Sequence, residues 1–158
     1  TGALGHGLPI GVGMAIGSKI KKSNKKYYVV CGDGEINEGS IWESLLSASK
    51  HNLNNLVVLI DYNKLQSYAP INEVLELEPL NKKFKSFNFN VLEVNGHDII
   101  QIDEAIKLAN KNLTKPTVII CHTIKGKGIK VAENNPSWHH KSFLTDKDLK
   151  DIESSLGK

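Results

Sequence analysis

The sequence predicts an α/β fold built as a doubly wound parallel sheet, and three observations carry that expectation. First, the apolar runs Tyr27–Cys31, Leu56–Asp61 and Pro116–Cys121 barely alternate with polar residues. Strands of that kind are buried on both faces, as in parallel sheets. Second, helix-like stretches separate the runs, so strand and helix repeat along the chain and the helices must cover the sheet. Third, polar or glycine-bearing clusters follow the runs, at residues 32–39, 61–66 and 123–140. In open α/β sheets, ligands bind beyond the carboxyl ends of the strands.

The elements follow in order. Residues 1–7 form a glycine-rich loop, and a helix begins at Leu8 with Pro9 in its first turn, a position that suits proline. Gly11, Ala15 and Gly17 allow that helix a close neighbour. Lys21 to Lys26 is a charged turn, 27–31 a strand, 39–51 a helix and 56–61 a strand. Tyr62 to Leu77 reads as loop and Pro79 to Phe87 as a short amphipathic helix. Residues 89–94 form a third strand, ending in Asn95-Gly96-His97-Asp98. A helix over 102–113 turns Ile102, Ile106, Leu108, Ala109 and Leu113 inward. Residues 116–121 are the fourth strand. After a polar loop to Lys141, Thr145 caps a last helix with Asp146 and Asp148 in its first turn, where both acids favour the helix dipole.

The chain has 158 residues, 40% hydrophobic and 23% charged, which suits one domain over residues 1–158 with its own core. The net charge of +3 is spread along the chain, so neither nucleic acid nor a membrane surface is implied as partner. No run is apolar for long enough to span a bilayer. Every basic residue is Lys, so a side chain holding an anion is a point charge or a His, not a planar fork. Cys31 and Cys121 both lie in apolar runs and read as buried free thiols of a cytoplasmic protein. The opening Thr1-Gly2-Ala3-Leu4-Gly5-His6-Gly7 has no initiator Met and reads as the middle of a motif. A longer polypeptide is therefore expected, of which this is a piece lacking its N-terminal part.

The chemistry concentrates at two strand ends. Gly32-Asp33-Gly34 follows one strand and Asp61-Tyr62-Asn63 the next, with 28 residues between Gly34 and Asn63. Asp33 brings a charged oxygen and Asn63 a neutral one. Mg²⁺ takes about six oxygens at about 2.1 Å and accepts few protein ligands when phosphates supply the rest. A carboxylate, an amide, a backbone carbonyl from the loop after Asn63 and two diphosphate oxygens nearly complete that shell. Gly32 and Gly34 let the backbone approach the phosphates, and N–H groups at the next helix start favour an anion.

These residues resemble a known motif. Gly32-Asp33-Gly34 with Asn63 resembles the thiamin diphosphate signature of Gly-Asp-Gly followed at such a distance by Asn. The flanks narrow it: Gly32 to Gly39, Asp61-Tyr62-Asn63-Lys64 and Thr1 to Gly5 all look like transketolase. Glu133-Asn134-Asn135-Pro136 and Trp138-His139 look like the amino-terminal, thiamin diphosphate-binding subunit of a two-chain transketolase. The resemblance covers essentially the whole chain. Deoxyxylulose-phosphate synthase is the nearest alternative, but it usually lacks the Glu38-Gly39 pair. A non-catalytic scaffold of the same fold is the alternative from outside enzymology.

The resemblance implies a thiamin diphosphate-binding domain of the type that holds the diphosphate. Asp33, Asn63 and the Leu65 carbonyl would ligate Mg²⁺, with Ca²⁺ or Mn²⁺ as substitutes. Gly32, Gly34 and Glu35 would face the diphosphate, Gly2 and Leu4 would line the cofactor, and Lys125 would reach a phosphate. His139 would touch the diphosphate and serve as the catalytic residue facing substrate. His140 replaces the glycine usual after that His, and His6 replaces a frequent Gln; neither has an assigned role. The implied reaction moves a two-carbon ketol unit from a ketose phosphate to an aldose phosphate. The glutamate such enzymes need against the pyrimidine ring has no match here. A C-terminal transketolase subunit or pyrimidine domain would supply it, in an obligate dimer or heterotetramer.

Overall fold

The computed structural model describes residues 2–67 and 69–157. The elements are α1 (Gly7–Ile20), β1 (Tyr27–Gly32), α2 (Gly39–Lys50), β2 (Leu56–Tyr62), α3 (Ile71–Val74), α4 (Leu80–Ser86), β3 (Asn90–Asn95), α5 (Ile99–Lys111), β4 (Thr117–His122) and α6 (Asp146–Ser155). The four strands form one sheet in the order β1-β2-β4-β3, and every pairing is parallel. The register sets the strand ends level: Gly32 opposite Asp61, Tyr62 opposite His122, and Asn95 opposite His122. All three polar clusters therefore start from one edge of the sheet.

The two middle strands are the continuously buried ones. β2 and β4 hide nearly every residue, whereas β1 and β3 alternate. Edge position explains this: α5 packs on β3 and β4 and meets β1 at Tyr28, whose hydroxyl donates to Asn110 at 2.8 Å, leaving Val30 70% exposed while Cys31 is buried. One core cluster joins α1, α2 and α4 to a single face of the sheet through Leu8, Val12, Leu45, Phe84, Val58, Ile60 and Ile120. A smaller one joins α5 to the other face through Ala105, Ala109, Val57, Ile119 and Cys121. Helices thus cover both faces, as the unalternating strands require. Gly11 is where α1 closes on β1, since a Cβ there would come within 2.5 Å of Val29 Cγ2. Both cysteines are free and buried, and no helix among the described residues is long and apolar enough to cross a membrane.

Three expectations need correction. α5 starts at Ile99, not at residue 102, because Asp98 accepts from the amides of Ile100 and Gln101 at 3.0 and 3.2 Å and caps the helix early. Its inward stripe is Ala105, Ala109 and, half-buried, Ile106, while Leu108 and Leu113 are 56% and 74% exposed. The stretch read as loop after β2 contains α3, one turn long, whose Ile71 enters the core. Short 3₁₀ turns at Glu35–Asn37 and Pro136–Trp138 were also not expected.

Thr145 does cap α6, in a reciprocal capping box with Asp148. Asp148 also accepts from Lys141 Nζ at 2.8 Å, and Lys141 lies 4.5 Å over the Trp138 ring. The last helix thereby anchors the loop carrying His139. The Lys141 hydrogen bond, then those from Thr145, hold the Asp148 carboxyl down at about 2. A carboxyl depressed on folding stabilises above its unfolded value of 3.8 and loses that effect as pH falls toward about 2. Protection of the α6 amides relative to their intrinsic exchange rate is expected to fall across that window, and Asp148→Asn to remove most of that change. Protection that ignores both pH and the substitution would contradict this.

Candidate functional site

The carboxyl edge of the sheet opens into a cleft of about 740 Å³. β1 ends at Gly32 and delivers Asp33; β2 ends at Tyr62 and delivers Asn63. Asp33 is only 3% exposed. Its Oδ1 accepts from Gly34 N at 2.8 Å and its Oδ2 from Lys64 N at 2.5 Å. The residue after Asn63 is therefore clamped to the Asp33 carboxylate. Lys64 sits at a positive φ of 63°, which turns the chain back over the strand end. Asn63 Oδ1 accepts from Leu65 N at 3.0 Å, and Asn63 Nδ2 donates to Asp61 at 3.3 Å.

Of the residues singled out in the sequence, Leu4, Gly32, Asp33, Gly34 and Glu35 line this cleft from one side and Asn63, Leu65, Lys125 and His139 from the other. Gly2 is not among the lining residues and touches nothing that a Cβ would meet. His6 is exposed, and its ring meets only the Leu4 carbonyl at 2.9 Å. The Gly34 amide, expected to face a phosphate, here serves Asp33. The opening loop is tied in by Gly5, whose N–H donates to Glu35 Oε1 at 3.1 Å and whose carbonyl accepts from Ser40 Oγ at 2.8 Å.

Burial pushes the Asp33 carboxyl above its ordinary range, and the Asp61 charge adds to this; the amides of Lys64 and Gly34 and the Lys125 charge pull the other way. A cation beside Asp33 would offset the burial. Among the described residues no three His, Cys, Asp or Glu side chains converge as a metal cluster. An ion held at Asp33 would draw its other oxygens from Asn63, the Leu65 carbonyl and its own ligand. Burial, then the charges of Lys125 and His140, lower His139, so its ring is neutral at neutral pH.

The polar accounting of the cleft is incomplete. Asn37 Oδ1, Gln66 Nε2 and His139 Nδ1 are buried without a hydrogen-bond partner, and all three residues line it. Folds pair nearly all such atoms, so their concentration in one cleft marks a place where a ligand supplies the partners. Sequence reading missed Asn37, Gln66 and Ser67. Asn37 and Gln66 lie in the 32–39 and 61–66 clusters but were given no role of their own, and Ser67 becomes visible only once the loop after β2 folds back.

Comparison with known proteins places the chain in a family. The family model described as "Transketolase, thiamine diphosphate binding domain" matches residues 1–158. The chain is 45% identical over 141 residues to one of the subunits of the apulose-4-phosphate transketolase of Actinobacillus succinogenes, covering 89% of this chain and 51% of that protein. It is 36% identical over 140 residues to the 6-deoxy-6-sulfo-D-fructose transketolase subunit SqwG of Clostridium sp. strain MSTE9, covering 89% and 51%. The crystal structure of transketolase from Campylobacter jejuni superposes with a TM-score of 0.85 at 30% identity, over 98% of this chain and 25% of that one. The chain spans about half the length of the curated relatives it matches first. It belongs to the transketolase family, as a thiamine diphosphate-binding domain.

Proposed function

We propose that this chain is the diphosphate- and metal-holding part of a two-chain transketolase, transferring a two-carbon ketol unit from a ketose phosphate to an aldose phosphate. One observation carries the reading above the rest: Asp33, Asn63, Leu65, Lys125 and His139 line one cleft whose buried polar atoms lack partners. The relative from Actinobacillus succinogenes is itself named as one part of a multi-chain transketolase, which supports the division into two chains.

Thiamin diphosphate, when bound, supplies the carbanion chemistry that breaks and makes the carbon–carbon bonds. The protein's part is binding, orientation and electrostatics. Asp33 and Asn63, with the Leu65 carbonyl, would hold a Mg²⁺ and, through it, the diphosphate. Lys125 adds a positive charge from the loop after β4. Leu4 offers an apolar side chain at the cleft mouth. His139, kept neutral by burial and by the Lys125 charge, exchanges a proton with a substrate hydroxyl or donates to an oxygen without adding a full charge. The glutamate that completes the site comes from a partner chain carrying the pyrimidine domain.

The substrate class follows from the relatives named for apulose 4-phosphate and 6-deoxy-6-sulfo-D-fructose. Both names describe anionic sugars, and we take an anionic sugar as this chain's substrate class. The test is reconstitution. The chain with its co-expressed partner is expected to transfer ketol units in the presence of thiamin diphosphate and Mg²⁺, and the chain alone to transfer none. Transfer by the chain alone would overturn the divided site.

A further inference from the structure

His140 stands where the family pattern has glycine, and its exposed ring reaches Ser67 of the cleft wall. His140 Nε2 lies 3.2 Å from Ser67 Oγ, and His139 Nε2 lies 3.3 Å from the same oxygen. The two rings pack edge to face with centroids 4.4 Å apart. A serine hydroxyl has one hydrogen to give, and a neutral imidazole has one N–H and one bare nitrogen. Ser67 cannot donate to both rings, so at least one Nε2 must carry a hydrogen. The tautomers of the two histidines are coupled through a single hydroxyl.

The second nitrogen of His139 sets the direction. His139 Nδ1 is buried in the cleft with no partner. The Lys125 ammonium lines the same cleft. Were it an N–H, it and Lys125 would be two donors facing one cleft. That arrangement suits an anionic oxygen.

We propose that His140 is a positioning residue: its Nε2–H donates to Ser67 Oγ, Ser67 donates its own hydrogen to His139 Nε2, and His139 is thereby held with Nδ1–H toward a phosphoryl oxygen of the bound ligand. This rests on the thiamin diphosphate reading of the cleft. The oxygen belongs to the cofactor diphosphate or to the phosphate of the sugar. The backbone around the pair is anchored independently, by Lys141 on Asp148 and over Trp138, and His140 is exposed, so substitution at 140 leaves the fold intact.

The experiment uses the full chain assembled with its partner, labelled with ¹⁵N-histidine and free of ligand. Long-range ¹H–¹⁵N correlation is expected to show His139 as the Nδ1–H tautomer. His140→Gln, whose amide can still donate, keeps that tautomer. His140→Glu can only accept; it takes the Ser67 hydrogen and drives His139 to Nε2–H. The lost donor then weakens binding by about 10- to 100-fold, the usual worth of a hydrogen bond to a charged group. If the diphosphate is the acceptor, the Kd for thiamin diphosphate rises; if the sugar phosphate is, its KM rises instead. Ser67→Ala combined with His140→Glu retains the new charge but breaks the relay, which separates repulsion from tautomer. An Nε2–H tautomer in the wild type, a tautomer unmoved by His140→Glu, or a moved tautomer with Kd and KM both unchanged would each overturn the proposal. Failure of the cofactor reading would appear separately, as no thiamin diphosphate binding by the wild type.

Discussion

Asp33→Ala is expected to leave the chain folded and to weaken Mg²⁺-dependent binding of thiamin diphosphate by about 100-fold or more, equivalent to about 3 kcal/mol. Among the described residues Asp33 is the buried carboxylate of the cleft wall, and the side chain on which both the proposed ion and the loop after β2 depend. Removing it strands the amides of Gly34 and Lys64, at about 1 kcal/mol each. Removing it also deletes a poorly solvated charge, which offsets part of that loss. A buried carboxyl raised on folding stabilises below its unfolded value of 3.8 and loses that contribution as pH rises through the folded value. The ligand-free wild type is therefore held back at neutral pH by Asp33, and Asp33→Ala flattens that dependence. Asp33→Asn is no rescue, because its amide nitrogen must face one of the two backbone N–H groups. Calorimetry in Mg²⁺ and thermal unfolding across pH read both effects. Unchanged cofactor affinity in Asp33→Ala would remove Asp33 from the metal.

Gly126→Ala is expected to cost about 3 kcal/mol of stability, summing about 1–2 for a left-handed backbone and about 1–3 for a collision. Gly126 has φ of +76°, and a Cβ there would lie 2.7 Å from the Ala132 carbonyl carbon and closer still to its oxygen. Ala132 is itself buried, and the segment is stitched by Asn134 N to Lys125 O at 2.9 Å and Ile129 N to Gly126 O at 3.1 Å. Neither side can yield without moving Lys125. Gly128→Ala is the matched control: it has φ of +98° with nothing within 4 Å, so its cost is that of the backbone conformation alone. Denaturant midpoints compare the two. Equal losses would mean that the Ala132 contact is not what constrains the loop.

How much of this was legible in the sequence depended on whether an interaction was local. The strands were readable because β2 and β4 are apolar throughout, and burial on both faces needs no partner to be inferred. β1 looked the same on paper, yet it lies at an edge with Val30 exposed, which only the strand order shows. The start of α5 was missed because Asp98 was read as the end of the third strand's segment rather than as a cap. Asp33 and Asn63 were findable because each follows its strand directly, and a parallel register brings strand ends together. The clamp from Lys64 N to Asp33 and the Ser67 bridge between two histidines join residues far apart in the chain. No periodicity or spacing encodes them.

The claim beneath the whole account is that this cleft grips a diphosphate through a divalent cation. Titrating the protein with thiamin diphosphate in Mg²⁺, then with a chelator in excess, and separately with thiamin lacking the diphosphate, tests it directly. Saturable binding that vanishes with the chelator and is absent for thiamin is the predicted result. Equal affinity with and without the metal, or equal affinity for thiamin, would contradict it.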